Sequence, residues 1–140
     1  VLASGATIVT DKREIAADGF FQGLFTTALE EGELITAIRF PIPKRAHYEK
    51  LRQKASHFPL VGVFVAQYDA GVRVAITGAG NGVFRHTGLE DALNQSFTPE
   101  AAAAVTIDAS DLNSDLHASA PYRANLISVQ TQRAVRAALG

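Results

Sequence analysis

KASHFPLVGVFVAQYDAGVRVAITGAGNGVFR, residues Lys54 to Arg85, holds two apolar runs, Leu60 to Tyr68 and Val72 to Thr77, separated by Asp69-Ala70-Gly71. The separator is a short turn whose glycine can take positive φ, so the two runs predict an antiparallel hairpin. In the second run Val72, Val74 and Ile76 point one way while Arg73, Ala75 and Thr77 point the other, the period of a half-buried strand. The first run is apolar on both faces, which predicts a strand inside the sheet and covered on both sides.

Working outward, Ala46 to Gln53 (AHYEKLRQ) alternates His47, Glu49 and Leu51 with Tyr48, Lys50 and Arg52, and reads as a strand joining the hairpin. Three strands in sequence make a meander. Upstream, Ala6 to Thr10 and Glu14 to Ala17 flank the polar turn Asp11-Lys12-Arg13 as a small hairpin, and Asp18-Gly19 leads into the adjacent aromatics Phe20 and Phe21. Glu33 to Ile42 alternates like a strand and is closed by Pro41 and Pro43, which remove ladder donors. Pro43-Lys44-Arg45-Ala46 is the best candidate boundary between two units, residues 1–43 and 44–140.

Helices follow downstream. Thr87-Gly88-Leu89-Glu90 has the spacing of a capping box, and Thr98-Pro99 is a hydroxyl cap with proline at the first helical position, opening a helix through the alanines to Val105. Ser119 caps the last helix, with Pro121 in its first turn and Tyr122, Leu126, Val129, Ala134, Val135 and Leu139 near helical spacing. A meander followed by helices predicts an α+β fold: a three-stranded antiparallel sheet with helices on one face.

Composition excludes several functions. With no cysteine, the chain supplies no disulfide, thiolate metal site or iron–sulfur ligand. A net charge of −1, from 13 basic and 14 acidic residues, gives no electrostatic case for nucleic acid or an anionic membrane. The longest apolar stretch, Phe58 to Ala66, is far short of the ~20 residues of a membrane helix, so we expect no membrane span and a cytoplasmic setting. The chain opens at Val1 and contains no methionine in 140 residues, which leads us to expect a piece of a longer protein.

Few residues point to chemistry directly. The run Gly78-Ala79-Gly80-Asn81-Gly82 follows a strand, and reads either as a tight turn or as a loop open to a ligand phosphate. The four histidines, His47, His57, His86 and His117, have no metal-ligand spacing, and no serine sits on a nucleophile elbow. Tyr48 to Phe58 is the most polar-aromatic segment beside a buried strand, and alternation puts Tyr48, Lys50 and Arg52 on one face. Such a face is either an edge guarded by basic residues or a surface that stacks on, and donates hydrogen bonds to, a flat electron-rich heterocycle.

Four blocks then resemble one family: FFQGLFTTALEEGELITAIRFPIP (Phe20 to Pro43), YEKLRQKASHFPLVGVFVA (Tyr48 to Ala66), VRVAITGAGNGVFR (Val72 to Arg85) and SDLHASAPYRANLISVQTQRAVRAAL (Ser114 to Leu139). Together they are similar to the C-terminal part of the FAD-binding medium subunit of molybdenum hydroxylases, of the carbon monoxide dehydrogenase type within the xanthine dehydrogenase family. The resemblance implies that residues up to about Pro43 are the tail of a p-cresol-methylhydroxylase-type FAD-binding domain and that Lys44 onward is the subunit's C-terminal domain. It implies FAD as cofactor, and a molybdenum cofactor large subunit and an iron–sulfur small subunit as partners, with electrons relayed through FAD to an external acceptor. Its cofactor-binding residues map to Tyr48, Lys50, His57, Phe58 and Leu60. The glycine-rich segments that hold the FAD pyrophosphate in the family have no counterpart here, and His57 stands where relatives often carry an acidic residue. The isolated chain is therefore expected to be inactive. The alternative is a non-catalytic assembly module that docks the other two subunits through its helices, with Arg123, Arg133 and Arg136 as interface residues.

Overall fold

The structure, a computed structural model, describes residues 1–55 and 57–140. Ser56, half of the Ala55-Ser56 pair in the second motif block, lies outside the described residues. The N-terminal part contains β1 (Thr7–Thr10), β2 (Glu14–Ala16), the single helical turn α1 (Ala17–Phe20), β3 (Phe21–Gly23), β4 (Thr26–Thr27) and β5 (Ile35–Arg39). β1 lies between β2 and β5, antiparallel to both, and β3 pairs with β4. Ile8, Ala17 and Phe20 bury a small core, with Phe20 edge-on to Phe21 at 5.1 Å between centroids.

From Arg45 onward the chain forms β6 (Arg45–Lys50), β7 (Gly62–Tyr68), β8 (Gly71–Gly80) and β9 (Gly82–Arg85), then α2 (Thr87–Gln95), α3 (Pro99–Ala103) and α4 (Ala120–Leu139). The hairpin of the two apolar runs is β7 and β8, closed with Tyr68 opposite Gly71, whose φ is 133°. The sheet has four strands in chain order, each antiparallel to the next, where the sequence predicts three. The extra strand is β9: the glycine-rich run turns tightly at Asn81, and Val83 to Arg85 fold back on β8. β6 also stops at Lys50, three residues before the expected Gln53.

Alternation sorts the sheet into two faces. Val63, Val65, Val74 and Ile76 are fully buried on one, against Leu89 and Leu93 of α2, Ala102 of α3 and Ile127, Ala134 and Val135 of α4. All three helices thus lie on the same side, and this layer is the main core. Emptying one of its large positions, as in Ile127→Ala, costs roughly 2–5 kcal/mol in comparable cores. On the opposite face Ala75, Phe64 and Val83 pack against Leu2, Ala3 and Phe21 of the N-terminal part. That cover reaches only part of the face.

One helix start and one helix end differ from expectation. Thr87 is not the cap of α2: His86 is, its Nδ1 accepting from Leu89 N at 3.2 Å, while Glu90 is drawn to β8, accepting from Val74 N at 2.9 Å, and to Arg85. A buried carboxylate needs partners more than an exposed box does. α3 begins as predicted, with Thr98 Oγ1 accepting from Ala101 N, but ends at Ala103. Ser119 caps α4 as read.

Candidate functional site

Tyr48 and Lys50 stand on the sheet face away from the helices, at the end the N-terminal segment leaves open. Tyr48 pairs across with Phe64 and Lys50 with Gly62. The Tyr48 ring leans diagonally over Gly62, where a Cβ would overlap the phenol hydroxyl and crowd Thr77. Glycine there leaves the space that the hydroxyl occupies. Tyr48 remains 43% exposed, and partial burial raises its pKa, so it presents a neutral aromatic surface with a donor at its tip.

Lys50, Arg52 and Lys54 follow Tyr48 along the chain, and none makes an ion pair among the described residues. They line, with Gln53, Ala55, His57 and Pro59, a hollow of about 360 Å³. The segment between β6 and β7 is held by its own backbone: His57 N donates to Lys54 O at 3.1 Å and Gln53 Nε2 to Phe58 O at 2.8 Å.

The five residues mapped from the resemblance are therefore spread over two neighbouring surfaces. Tyr48 and Lys50 lie on the open sheet face. His57, Phe58 and Leu60 line a second hollow of about 360 Å³ with Gln53, Gly78, Asp115, His117 and Arg123. His57 meets His117 edge-on, 6.5 Å between centroids, and Phe58 is 90% exposed. Leu60 turns inward and packs against the main core. His57 lies beside both hollows and joins them.

Sequence reasoning misplaced one residue of this region. Arg123 is not a surface arginine of α4: its side chain is 4% exposed and its guanidinium is bonded inside the fold. Nη1 donates to Leu60 O and Gly78 O, both at 2.9 Å, and Nη2 to Asp115 Oδ2 at 2.7 Å. The signal was available, since Arg123 precedes Leu126, Ile127 and Gln130 by three, four and seven positions, the spacing of the buried face. Asp115 is held below the usual carboxylate range by the backbone N–H groups of His117 and Ala118 and then by Arg123. Arg133 and Arg136 are exposed.

The glycine-rich turn is crowded at Gly78 and Gly80. A Cβ at Gly78 would stand 2.6 Å from Pro59 O and 2.9 Å from Leu60 O, and one at Gly80 would touch Phe84 and the Asp111 backbone. Gly80, Asn81 and Gly82 border a hollow of about 520 Å³ whose other lining residues include the carboxylates Asp108 and Asp111. A larger cleft, about 560 Å³, lies at the junction with the N-terminal part, but of its charged residues Arg73, Arg85 and Glu90 are bonded internally and Asp69 is paired with Lys44. Among the described residues no three metal-ligating side chains converge, and no helix is long and apolar enough to cross a membrane.

No protein-family model matches the chain. It is 32% identical over 139 residues to the carbon monoxide dehydrogenase medium chain of Hydrogenophaga pseudoflava, covering 91% of this chain and 48% of that one. It is 34% identical over 137 residues to the nicotine 6-hydroxylase medium subunit of Paenarthrobacter nicotinovorans, again 91% of this chain and 48% of the relative. Its fold matches a chain of reconstituted CO dehydrogenase from Oligotropha carboxidovorans with a TM-score of 0.82 at 26% identity, over 97% of this chain and 53% of that one. The chain spans about half the length of the relatives it matches. It is a homologue of the medium subunits of molybdenum hydroxylases, over a span consistent with the C-terminal part of such a subunit.

Proposed function

We propose that the chain is the C-terminal part of an FAD-binding medium subunit of a cytoplasmic molybdenum hydroxylase, residues 1–43 ending the FAD-binding domain and residues 44–140 forming the C-terminal domain. The observation that carries this reading is the match along 91% of the chain to two medium subunits. When bound, FAD supplies a ring that accepts electrons from an iron–sulfur small subunit, itself supplied by a molybdenum cofactor large subunit, and yields them to an external acceptor.

The chain's own residues suit the ring and not the pyrophosphate. Tyr48, leaning over Gly62, offers an aromatic face and a hydroxyl donor, and Lys50 offers a cation with no competing carboxylate among the described residues. His57, Phe58 and Leu60 line the neighbouring hollow, which His57 joins to the one beside Lys50. The crowding at Gly78 and the carboxylates Asp108 and Asp111 beside Gly80 to Gly82 disfavour a phosphate there, which supports a division of labour: this part covers the ring, and another part of the subunit holds the phosphates. The chain by itself is accordingly inactive.

The test is Tyr48→Ala in the FAD-loaded full-length subunit. Losing an aromatic contact weakens flavin binding about tenfold or shifts the flavin absorption band. Unchanged affinity together with an unchanged band removes Tyr48 from the site.

A further inference from the structure

We propose that Arg123 is the positioning residue of the Pro59-Leu60 segment, and through it sets where His57 and Phe58 stand. The proposal rests on the flavin reading only for its consequence, since the clamp itself is a property of the chain.

Three segments far apart in sequence converge on one guanidinium: Leu60 O before β7, Gly78 O where β8 departs from regular pairing, and Asp115 Oδ2 in the turn before α4. Asp115 is itself fixed, accepting from His117 N at 2.9 Å and Ala118 N at 3.1 Å, so the carboxylate does not follow the arginine but anchors it. Gly78 supplies the opposite jaw. Its φ of 80° and the closeness of the Pro59 and Leu60 carbonyls leave no room for a side chain.

The arrangement is poor as a stability device. Among the described residues Arg123 carries a buried charge with one carboxylate partner, and its Nε has no acceptor there. Buried ion pairs of this kind rarely beat an apolar replacement in stability, and one attested use is to specify a geometry. A planar fork can serve three acceptors at once; a lysine ammonium on a flexible stem cannot hold all three in the same relation. The geometry held is that of the short link between the two hollows, where His57 faces His117.

Trypsin reports on this segment because Arg52 and Lys54 lie within it. The chain with Arg123→Met is compared with Val135→Ala, a core change a little over three turns further along α4, at temperatures equally far below each midpoint. Cleavage after Arg52 and Lys54 rises about tenfold in Arg123→Met relative to Val135→Ala, and less in Arg123→Lys, which keeps charge and some donors. Should Arg123→Met fail to fold, Arg123→Lys carries the same comparison. Equal cleavage in the arginine and core variants overturns the clamp, whatever the flavin does. In the FAD-loaded subunit Arg123→Lys shifts the flavin band. A raised cleavage rate with an unmoved band upholds the clamp and removes the 57–60 segment from the flavin wall instead.

Discussion

Glu33 has no exposed side-chain surface, and four donors converge on it: Arg13 Nε and Nη2, each at 3.0 Å, Thr10 Oγ1 at 2.7 Å and Glu30 N at 2.8 Å. Arg13 first, then the Glu30 amide and Thr10, lower its pKa from 4.5 to about 2. A group depressed in the folded state stabilises that state above its unfolded pKa and loses the contribution as the pH falls. Stability should therefore decline from pH 4.5 toward pH 2. Glu33→Gln should be less stable at neutral pH and show a shallower decline over that window, measured as urea midpoints against pH; parallel slopes would rule the carboxylate out. Nothing in the local sequence announces this knot, because Arg13 and Glu33 are 20 positions apart. Arg123 is the contrary case: its spacing from the apolar residues of α4 was readable, yet arginine is so often a surface residue that its type outweighed its period.

At the scale of elements, alternation and caps carried most of the information. The β7–β8 hairpin, the β1–β2 hairpin and the Thr98 and Ser119 caps were legible because each rests on contacts between near neighbours in sequence. The start of α2 was not, because two caps compete within two residues and tertiary structure chooses. Glu90 satisfies the Val74 amide and Arg85, leaving the box without its return bond, and the imidazole of His86 takes over as acceptor. Burial lowers the His86 pKa, which keeps the accepting nitrogen unprotonated. His86→Ala should then cost about 1 kcal/mol, while Thr87→Ala, at an exposed position, should stay within about 0.5 kcal/mol. Chemical denaturation of both variants decides: a larger loss at Thr87 would restore the capping box.

For the whole molecule, the way the residues on either side of the expected boundary meet was not readable. A proline-bounded basic link at Pro43 to Arg45 suggested a boundary, whereas the ties across it join residues 55 to 71 positions apart. Arg73 Nη2 donates to Leu2 O at 2.9 Å and to Asp18 Oδ1 at 2.5 Å, Arg85 Nη1 reaches the same Asp18 oxygen at 3.3 Å, and Tyr68 donates to Ser4 O at 3.1 Å. Partial burial pushes the Asp18 pKa up, but the two arginines outweigh it and the net shift is downward, so the carboxylate is ionised at neutral pH. This cluster fixes how far the N-terminal segment extends over the sheet, and so how much of the face around Tyr48 is left open. Arg73→Met should loosen that cover without touching the helix-side core, because Arg73 points away from Val72 and Val74. Hydrogen exchange reads the difference: the Gly5 and Ala6 amides, bonded to Leu2 O and Val1 O, should exchange faster, while the Ala134 and Val135 amides in α4 keep their protection. Faster exchange at all four would mean that Arg73 supports the fold as a whole, and no change at Gly5 and Ala6 would mean that the apolar contacts of Leu2 and Ala3 hold the segment without it.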